Sequence, residues 1–345
     1  YLRDSGTRTA ISVGALITAV ALFAALVIMV NSFRGTVDLW VHQTVSGDLF
    51  VTTRLGSINR FRDPLPAKVV SGLQQLEDPV DLVPNRRFVL THAARFVYEL
   101  DAMDIATFLH HGGFVWVAGD PARVQPQLIA GEGVIVSEVF SNRSGLTVGD
   151  LYRAQIESVT VELPILGIVR DYRTNGGVVF YHLPAFRQRF FNPGWSGVRL
   201  FFQQPQPDPA AAVSRLREDV VRRCGDHIDM VSGDDVRGTV LRIFDETFAV
   251  TTVLLVIALI IAALGITTTL AVQVLERSRQ LNTLLAVGAD RSQIRTMIFW
   301  EATLLIIAGE ISGLVCGFIL SYVLIYVINV QSFGWSFLYR VNWRA

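Results

Sequence analysis

The sequence predicts an α-helical integral membrane protein, with three spans present and a fourth missing, and a large extracytoplasmic α+β domain inserted between spans 1 and 2. Three observations predict it. Three apolar runs reach membrane length, Ala10–Val30, Thr247–Gln273 and Met297–Val330. Between the first and second lie about 210 residues of ordinary soluble composition with strand-like and helix-like patterning. Between the second and third lies a short loop rich in arginine.

The first run carries no charge over 21 residues and the second none over 27; the third holds only Glu301 and Glu310. A helix needs about 20 residues to cross the hydrocarbon, so each run can span. The first run is too long for the apolar part of a signal peptide, and VNSFRGTVDLW offers no small-x-small cleavage site after it. The organisation read along the chain is therefore 1–33, cytoplasmic flank and first span; 34–244, the soluble domain; 245–275, second span; 276–296, a cytoplasmic helix and loop; 297–330, third span; and 331–345, an extracytoplasmic segment leading to the missing fourth helix. A chain that begins at Tyr1 and stops soon after the third run reads as an excerpt of a longer reading frame or an incomplete gene.

Within the soluble domain, FVLTHAARFVYEL (88–100), GVIVSEVF (133–140), VELPILGIV (161–169) and GVVFYHL (177–183) read as strands rich in β-branched and aromatic residues. GLTVGD (145–150) and RTNGG (173–177) read as turns. PAKVVSGLQQLE (66–77) reads as a helix. A second helix starts with Asp208 as N-cap and Pro209 at the first position, with Val213, Leu216, Val220 and Val221 as its apolar face.

Sidedness follows from charge. Arg277, Arg279, Arg291 and Arg295 crowd the short loop, and Arg3 and Arg8 the N-terminal flank. Short-loop arginines stay cytoplasmic, whereas long domains translocate regardless of charge, so 276–296 is inside and 34–244 outside. QSFGWSFLYRVNW (331–343), on the outer side, reads as an interfacial aromatic belt. The location implied is the cell (inner) membrane, multi-pass.

Several chemistries lack their residues. Lys68 is the sole lysine and stands in PAKVV, so no phosphate-binding G-x-x-x-x-G-K-[ST] loop exists and the chain binds no ATP itself. H-E-x-x-H, G-x-S-x-G and C-x-x-C are missing, and Cys224 and Cys316 have no metal or redox spacing. His110 and His111 are adjacent, with no carboxylate or cysteine at ligand spacing; a surface pair is the simpler reading beside a metal site. Equal numbers of basic and acidic residues, 30 each, and the lack of a basic stripe argue against a nucleic-acid partner.

In the third span Gly309, Gly313, Gly317 and Ser321 recur every four residues, a ladder that lets helices approach closely in lipid. Glu310 lies beside that face at middle depth. An acid there costs about 3 kcal/mol on insertion scales, so it should face protein or a wet cavity. Its use is either intramembrane coupling or an interhelical hydrogen bond to hydroxyls such as those of Thr267–Thr269. Glu301, near the inner end, suits the positive end of the helix dipole.

The loop ERSRQLNTLLAVGADRSQI (276–294) places Leu281, Leu284, Leu285 and Gly288 on one stripe, flanked by arginines. Such a helix either lies in the headgroup layer or presents its apolar face to a soluble partner, for which a separate ATPase is the natural choice. Here the chain resembles the FtsX-like ABC transporter permeases of the MacB and LolC type, whose signature runs roughly ER-x-R-E-hydrophobic-x-x-LRA-x-GA-x-x-x-QI. Glu276, Arg277, Arg279, Leu284, Ala286, Gly288, Ala289, Gln293 and Ile294 match; Gln280 replaces an acid and Leu285 an arginine. NSFRGTVDLW (31–40), GVIVSEVF, GLTVGD, GIVRDY (167–172), IFDETFAVT (243–251) and SFGW (332–335) resemble the second half of ten-span members.

The resemblance implies a non-catalytic permease subunit. Arg277, Arg279, Leu281, Leu284, Leu285 and Gly288 would form the coupling helix docked on a cytoplasmic ABC ATPase, with ATP and Mg held by that partner and no cofactor by this chain. It further implies membrane lipids and a second permease half or protomer as partners, with a lipoprotein or periplasmic adaptor as a further candidate. The work expected is export or extraction of lipoprotein, lipid, peptide or drug substrates; regulation of a cell-wall hydrolase is the alternative, and a sensory receptor a more distant one.

Overall fold

The computed structural model describes residues 6–340 except 55, 57, 59–60, 62, 157–158, 191–193, 277, 279–282 and 284–285. The chain divides into two compact units, one comprising Tyr1–Gly35, Ile243–Asn329 and Phe337–Ala345, the second Thr36–Arg242 and Val330–Ser336.

The second unit is built on a mixed sheet ordered β10-β1-β9-β2-β3-β8-β5-β7-β4, with β6 paired to β7. In chain order the strands are β1 Leu49–Thr53, β2 Val80–Thr91, β3 Val97–Met103, β4 Val115–Ala118, β5 Val134–Ser137, β6 Leu151–Ile156, β7 Val159–Arg170, β8 Val178–His182, β9 Gly197–Phe202 and β10 Ile228–Ser232. Its helices are α2 Ala67–Leu73, α3 Ile105–His111, α4 Pro121–Ile129, α5 Glu138–Ser144, α6 Leu183–Arg189 and α7 Pro209–Cys224. The pairs β3–β8 and β5–β7 are parallel and the remaining pairs antiparallel.

Helices cover both faces of the sheet, which explains why the central strands read as unbroken apolar runs. On β8, Val179 and Tyr181 join one core with Leu73, Phe186, Leu216 and Val220, while Val178 and Phe180 join the other with Ile105, Phe108, Val124 and Leu128. Strand alternation thus feeds two cores at once.

Four local readings are corrected. The 88–100 run is a hairpin, β2 and β3 joined at His92–Phe96, where Arg95 takes φ +61 and its N–H donates to His92 O at 2.8 Å. With no glycine or proline in that turn, the sequence carries no breaker signal. GVIVSEVF changes element at Ser137, whose hydroxyl accepts from Phe140 N at 3.2 Å and caps α5. The helix read at 66–77 is shorter, Ala67–Leu73. On α7, Asp208 caps from Ala211 N as its sequence predicts, and Leu216 and Val220 are buried, but Val221 is exposed.

The first unit holds three long helices: α1 Gly6–Gln43, α8 Gly233–Glu276 and α9 Arg291–Val323, α1 and α8 each continuing into the second unit. α9 continues through a π-helical turn, Leu324–Ile328, into α10 Asn329–Phe333. Val13–Gln43 and Arg291–Ser332 are long and apolar enough to cross a membrane, by length and composition. The run 247–273 lies within α8. The aromatic run 331–343 is shared between the units: Val330–Ser336 belongs to the second and the residues from Phe337 to the first.

Candidate functional sites

The end of the loop between α8 and α9, residues 286–290, is held by local hydrogen bonds. Arg277, Arg279, Leu281, Leu284 and Leu285 lie outside the described residues. Gly288 is described: it takes φ +106 directly after Val287, whose N–H donates to Thr283 O at 3.0 Å. A side chain there would meet nothing within 4 Å, so glycine is required by the backbone alone. Asp290 then caps α9, and the Gln293 side chain accepts from Asp290 N at 3.1 Å, completing a capping box. Bonds from the Ser292 hydroxyl and the Ser292 and Arg291 amides hold Asp290 below its usual range. Gly288 and Gln293, read as signature positions, therefore have local structural work; the D-x-x-Q spacing at 290–293 was the signal.

The glycine ladder of α9 lies against α1. A Cβ on Gly309 would stand 2.5 Å from Leu16 Cδ2; on Gly313, 2.7 Å from Val20 Cβ and 3.1 Å from Ile17 O; on Gly317, 2.8 Å from Ala24 Cβ and 3.0 Å from Ala21 O. Carbonyls of α1 that near mark backbones in close approach. Ser321 is fully buried; its hydroxyl donates to Phe318 O at 2.8 Å and meets the Tyr339 hydroxyl at 2.8 Å. Glu310 is exposed on this chain, and no hydrogen bond or ion pair reaches it among the described residues. Thr267 and Thr268 instead donate to Ala263 O and Leu264 O of their own helix.

In the sheet unit, segments remote in sequence converge. Trp40 and Trp335 both pack on Tyr172, at ring separations of 5.3 and 4.3 Å. Asn142 Nδ2 donates to Gly334 O at 2.8 Å. Ser336 donates from N to Glu138 Oε2 at 3.1 Å and from its hydroxyl to Oε1 at 2.7 Å. Arg170 Nε donates to Ser336 O and Arg170 Nη2 to Ser336 Oγ, both at 3.3 Å. Glu138, Arg170 and Ser336 are all buried. Local pattern could not reveal this site, because 198 residues separate Glu138 from Ser336.

Next to it a neutral cluster of three acids and three guanidiniums threads the sheet. Asp101, fully buried, accepts from Asn85 Nδ2 at 2.8 Å and from Arg173 Nη1 at 2.9 Å. Arg173 Nε reaches Asp171 at 3.0 Å, and Arg87 Nε lies 3.6 Å from Glu99. Arg199 donates to Thr44 O at 2.8 Å. Burial pushes Asp101 up, but Arg173, Arg87, Arg199 and Asn85 outweigh it and hold the carboxyl below its usual range. For Glu99 burial prevails over Arg87 and Arg173, and its carboxyl is raised. Burial, with Arg173 beside it, brings Arg199 down to about 10. Asp101 and Asp171 each pair with a guanidinium, while Glu99 Oε1 and Arg173 Nη2 are buried without a hydrogen-bond partner among the described residues; acids matched by guanidiniums fit a structural cluster.

His111 Nε2 pairs with Asp81 at 2.7 Å and its ring stacks on Phe201 at 4.6 Å. Among the described residues no group of three or more His, Cys, Asp or Glu could hold a metal ion.

Residues 252–345 match the FtsX-like permease C-terminal family. Over 333 residues, 96% of the chain, the sequence is 26% identical to an uncharacterized ABC transporter permease protein of Mycobacterium tuberculosis, of which the match spans 38%. Over 108 residues it is 30% identical to the macrolide export ATP-binding/permease protein MacB of Bordetella avium, 31% of this chain and 16% of that protein. The chain thus spans well under half the length of these relatives. Among solved structures, the periplasmic region of MacB from Actinobacillus actinomycetemcomitans aligns with a TM-score of 0.39 at 10% identity, covering 56% of this chain and 92% of that one. The extracellular domain of the ABC-type transporter YknZ from Gram-positive bacteria aligns at 0.38 and 12% identity, covering 54% and 99%. The resemblance first carried by ERSRQLNTLLAVGADRSQI is matched by the comparisons: residues 252–345 are similar to the FtsX-like permease C-terminal family, and the chain is similar in sequence to ABC transporter permeases, MacB among them.

Proposed function

We propose that this chain is a non-catalytic permease subunit, or part of one, in an ABC transporter. ATP hydrolysis by a separate cytoplasmic ATPase drives movements of the sheet domain outside the membrane. The observation that carries the reading is the FtsX-like permease match, which covers the loop 276–296 and the helix after it. Similarity over 96% of the chain to an ABC transporter permease supports it. Three spans follow from the apolar runs within α1, α8 and α9, and the arginines of 276–296 set that loop inside. Its leucines face the ATPase, and Gly288 with the Asp290–Gln293 box fixes how the loop enters α9. Cargo is drawn from lipoproteins, lipids, peptides or drugs, the last in keeping with MacB relatives named for macrolide export.

The test replaces Leu284 and Leu285 together with aspartate in the full-length protein. Two carboxylates in an apolar contact cost several kcal/mol, so the ATPase should fail to co-purify. Retained co-purification with substrate-stimulated hydrolysis rules the docking face out.

A further inference from the structure

The segment Val330–Ser336 belongs to the sheet unit, and its polar hold on that unit is concentrated in one residue. Ser336 occupies both carboxylate oxygens of Glu138, and its carbonyl takes Arg170 Nε and, at 3.4 Å, the Tyr172 hydroxyl. Beyond it, among the described residues, Trp335 packs on Tyr172 and Gly334 O accepts from Asn142 Nδ2. Neither core beneath includes a described residue of 330–336.

We propose that Val330–Ser336 is a releasable latch on the sheet domain, closed by Ser336 between Glu138 and Arg170. Ordinarily, withdrawing a buried serine would strand a buried carboxylate and guanidinium, at heavy cost. Here the two already stand 3.9 Å apart, Glu138 Oε2 to Arg170 Nε, so a small closing movement pairs them directly. The latch therefore has a second arrangement ready for its charges. The chain on its N-terminal side is also built to yield. Gly334 takes φ +80 after a turn in which its N–H donates to Val330 O at 2.8 Å, and the π-helical turn Leu324–Ile328 lies just upstream. A π turn is an irregularity found mostly at functional positions. The contacts that close the latch lie within the sheet unit, and the inference stands apart from the transport reading.

Hydrogen–deuterium exchange of the full chain in lipid nanodiscs tests it, read on peptides covering 330–336 with Val178–His182 of β8 as internal reference. In the unaltered protein the latch amides should exchange at least tenfold faster than β8, through an opening that leaves the sheet intact. Ser336→Ala removes a hydroxyl bonded to a charged group and should speed exchange over 330–336 by about 10- to 100-fold, with β8 unchanged. Trp335→Ala should act in the same direction. Latch amides as slow as β8, or variants that speed both peptides together, would make the segment an inseparable part of the fold and overturn the proposal. A Ser336→Ala protein with unaltered exchange over 330–336 would overturn it as well.

Discussion

Alanine at Gly317 sets two effects of opposite sign against each other. Within a helix, glycine to alanine gains about 1 kcal/mol in propensity. Against this, the new Cβ would stand 2.8 Å from Ala24 Cβ and 3.0 Å from Ala21 O, both on α1. Ordinary carbon contacts begin about 3.5 Å apart, and neither obstacle is the flexible end of a side chain. The helices must part by several tenths of an ångström, and overpacking of that kind costs about 1–3 kcal/mol. The expected net is a loss of about 1 kcal/mol. Gly313→Ala should behave alike, because its Cβ meets Val20 Cβ and Ile17 O. Gly309→Ala should be neutral or better, because it meets the far end of Leu16, which can turn aside. The decisive arm is Gly317→Ala with Ala24→Gly, which returns the missing volume and should recover most of the loss. Thermal unfolding of the full chain in nanodiscs reads all four. A Gly317→Ala protein as stable as its parent, or a pair no better than the single variant, would refute the close approach of α9 and α1.

Acid should weaken the sheet domain through His182. Burial holds this imidazole below its usual 6.5 while its Nδ1 accepts from Ile105 N at 3.2 Å. The unfolded chain binds the proton more readily, so this stability is complete above pH 6.5 and is lost as pH falls from there through the folded value. His182→Asn keeps an acceptor without the titration, and its melting midpoint should fall less between pH 7.5 and 5.5; equal slopes would remove His182 from the effect. Asp101→Asn should destabilise the domain by about 3 kcal/mol, the lower end for breaking a buried pair, because Arg173 keeps Asp171 as partner. Denaturant unfolding that reports less than about 1 kcal/mol would show that the cluster carries no such constraint.

What local pattern encodes was legible. Apolar runs announce long helices because span length is a property of consecutive residues, and β8 announced itself because both its faces are buried. The fourfold glycine spacing of α9 was visible, whereas its partner face on α1, Leu16, Val20 and Ala24, was not, since that pairing is tertiary. The His92–Phe96 turn escaped because Arg95 enters the left-handed region without glycine, relying on hairpin bonds around it. Ser137 escaped because one residue ends β5 and caps α5. Glu138, Arg170 and Ser336 lie on three remote segments, noticed as a strand, a family likeness and an aromatic belt; neither charge nor spacing marked them as one site.

The account depends most on which side of the membrane carries residues 276–296. With Cys224 and Cys316 replaced, a single cysteine at Ser278 or Thr283 can be offered a membrane-impermeant maleimide in intact cells and again after permeabilisation. The account predicts labelling only after permeabilisation, while a control cysteine at exposed Arg54 in the sheet domain labels in both. Labelling at 278 or 283 in intact cells would put the arginine loop outside, beyond reach of any cytoplasmic ATPase, and would contradict the account.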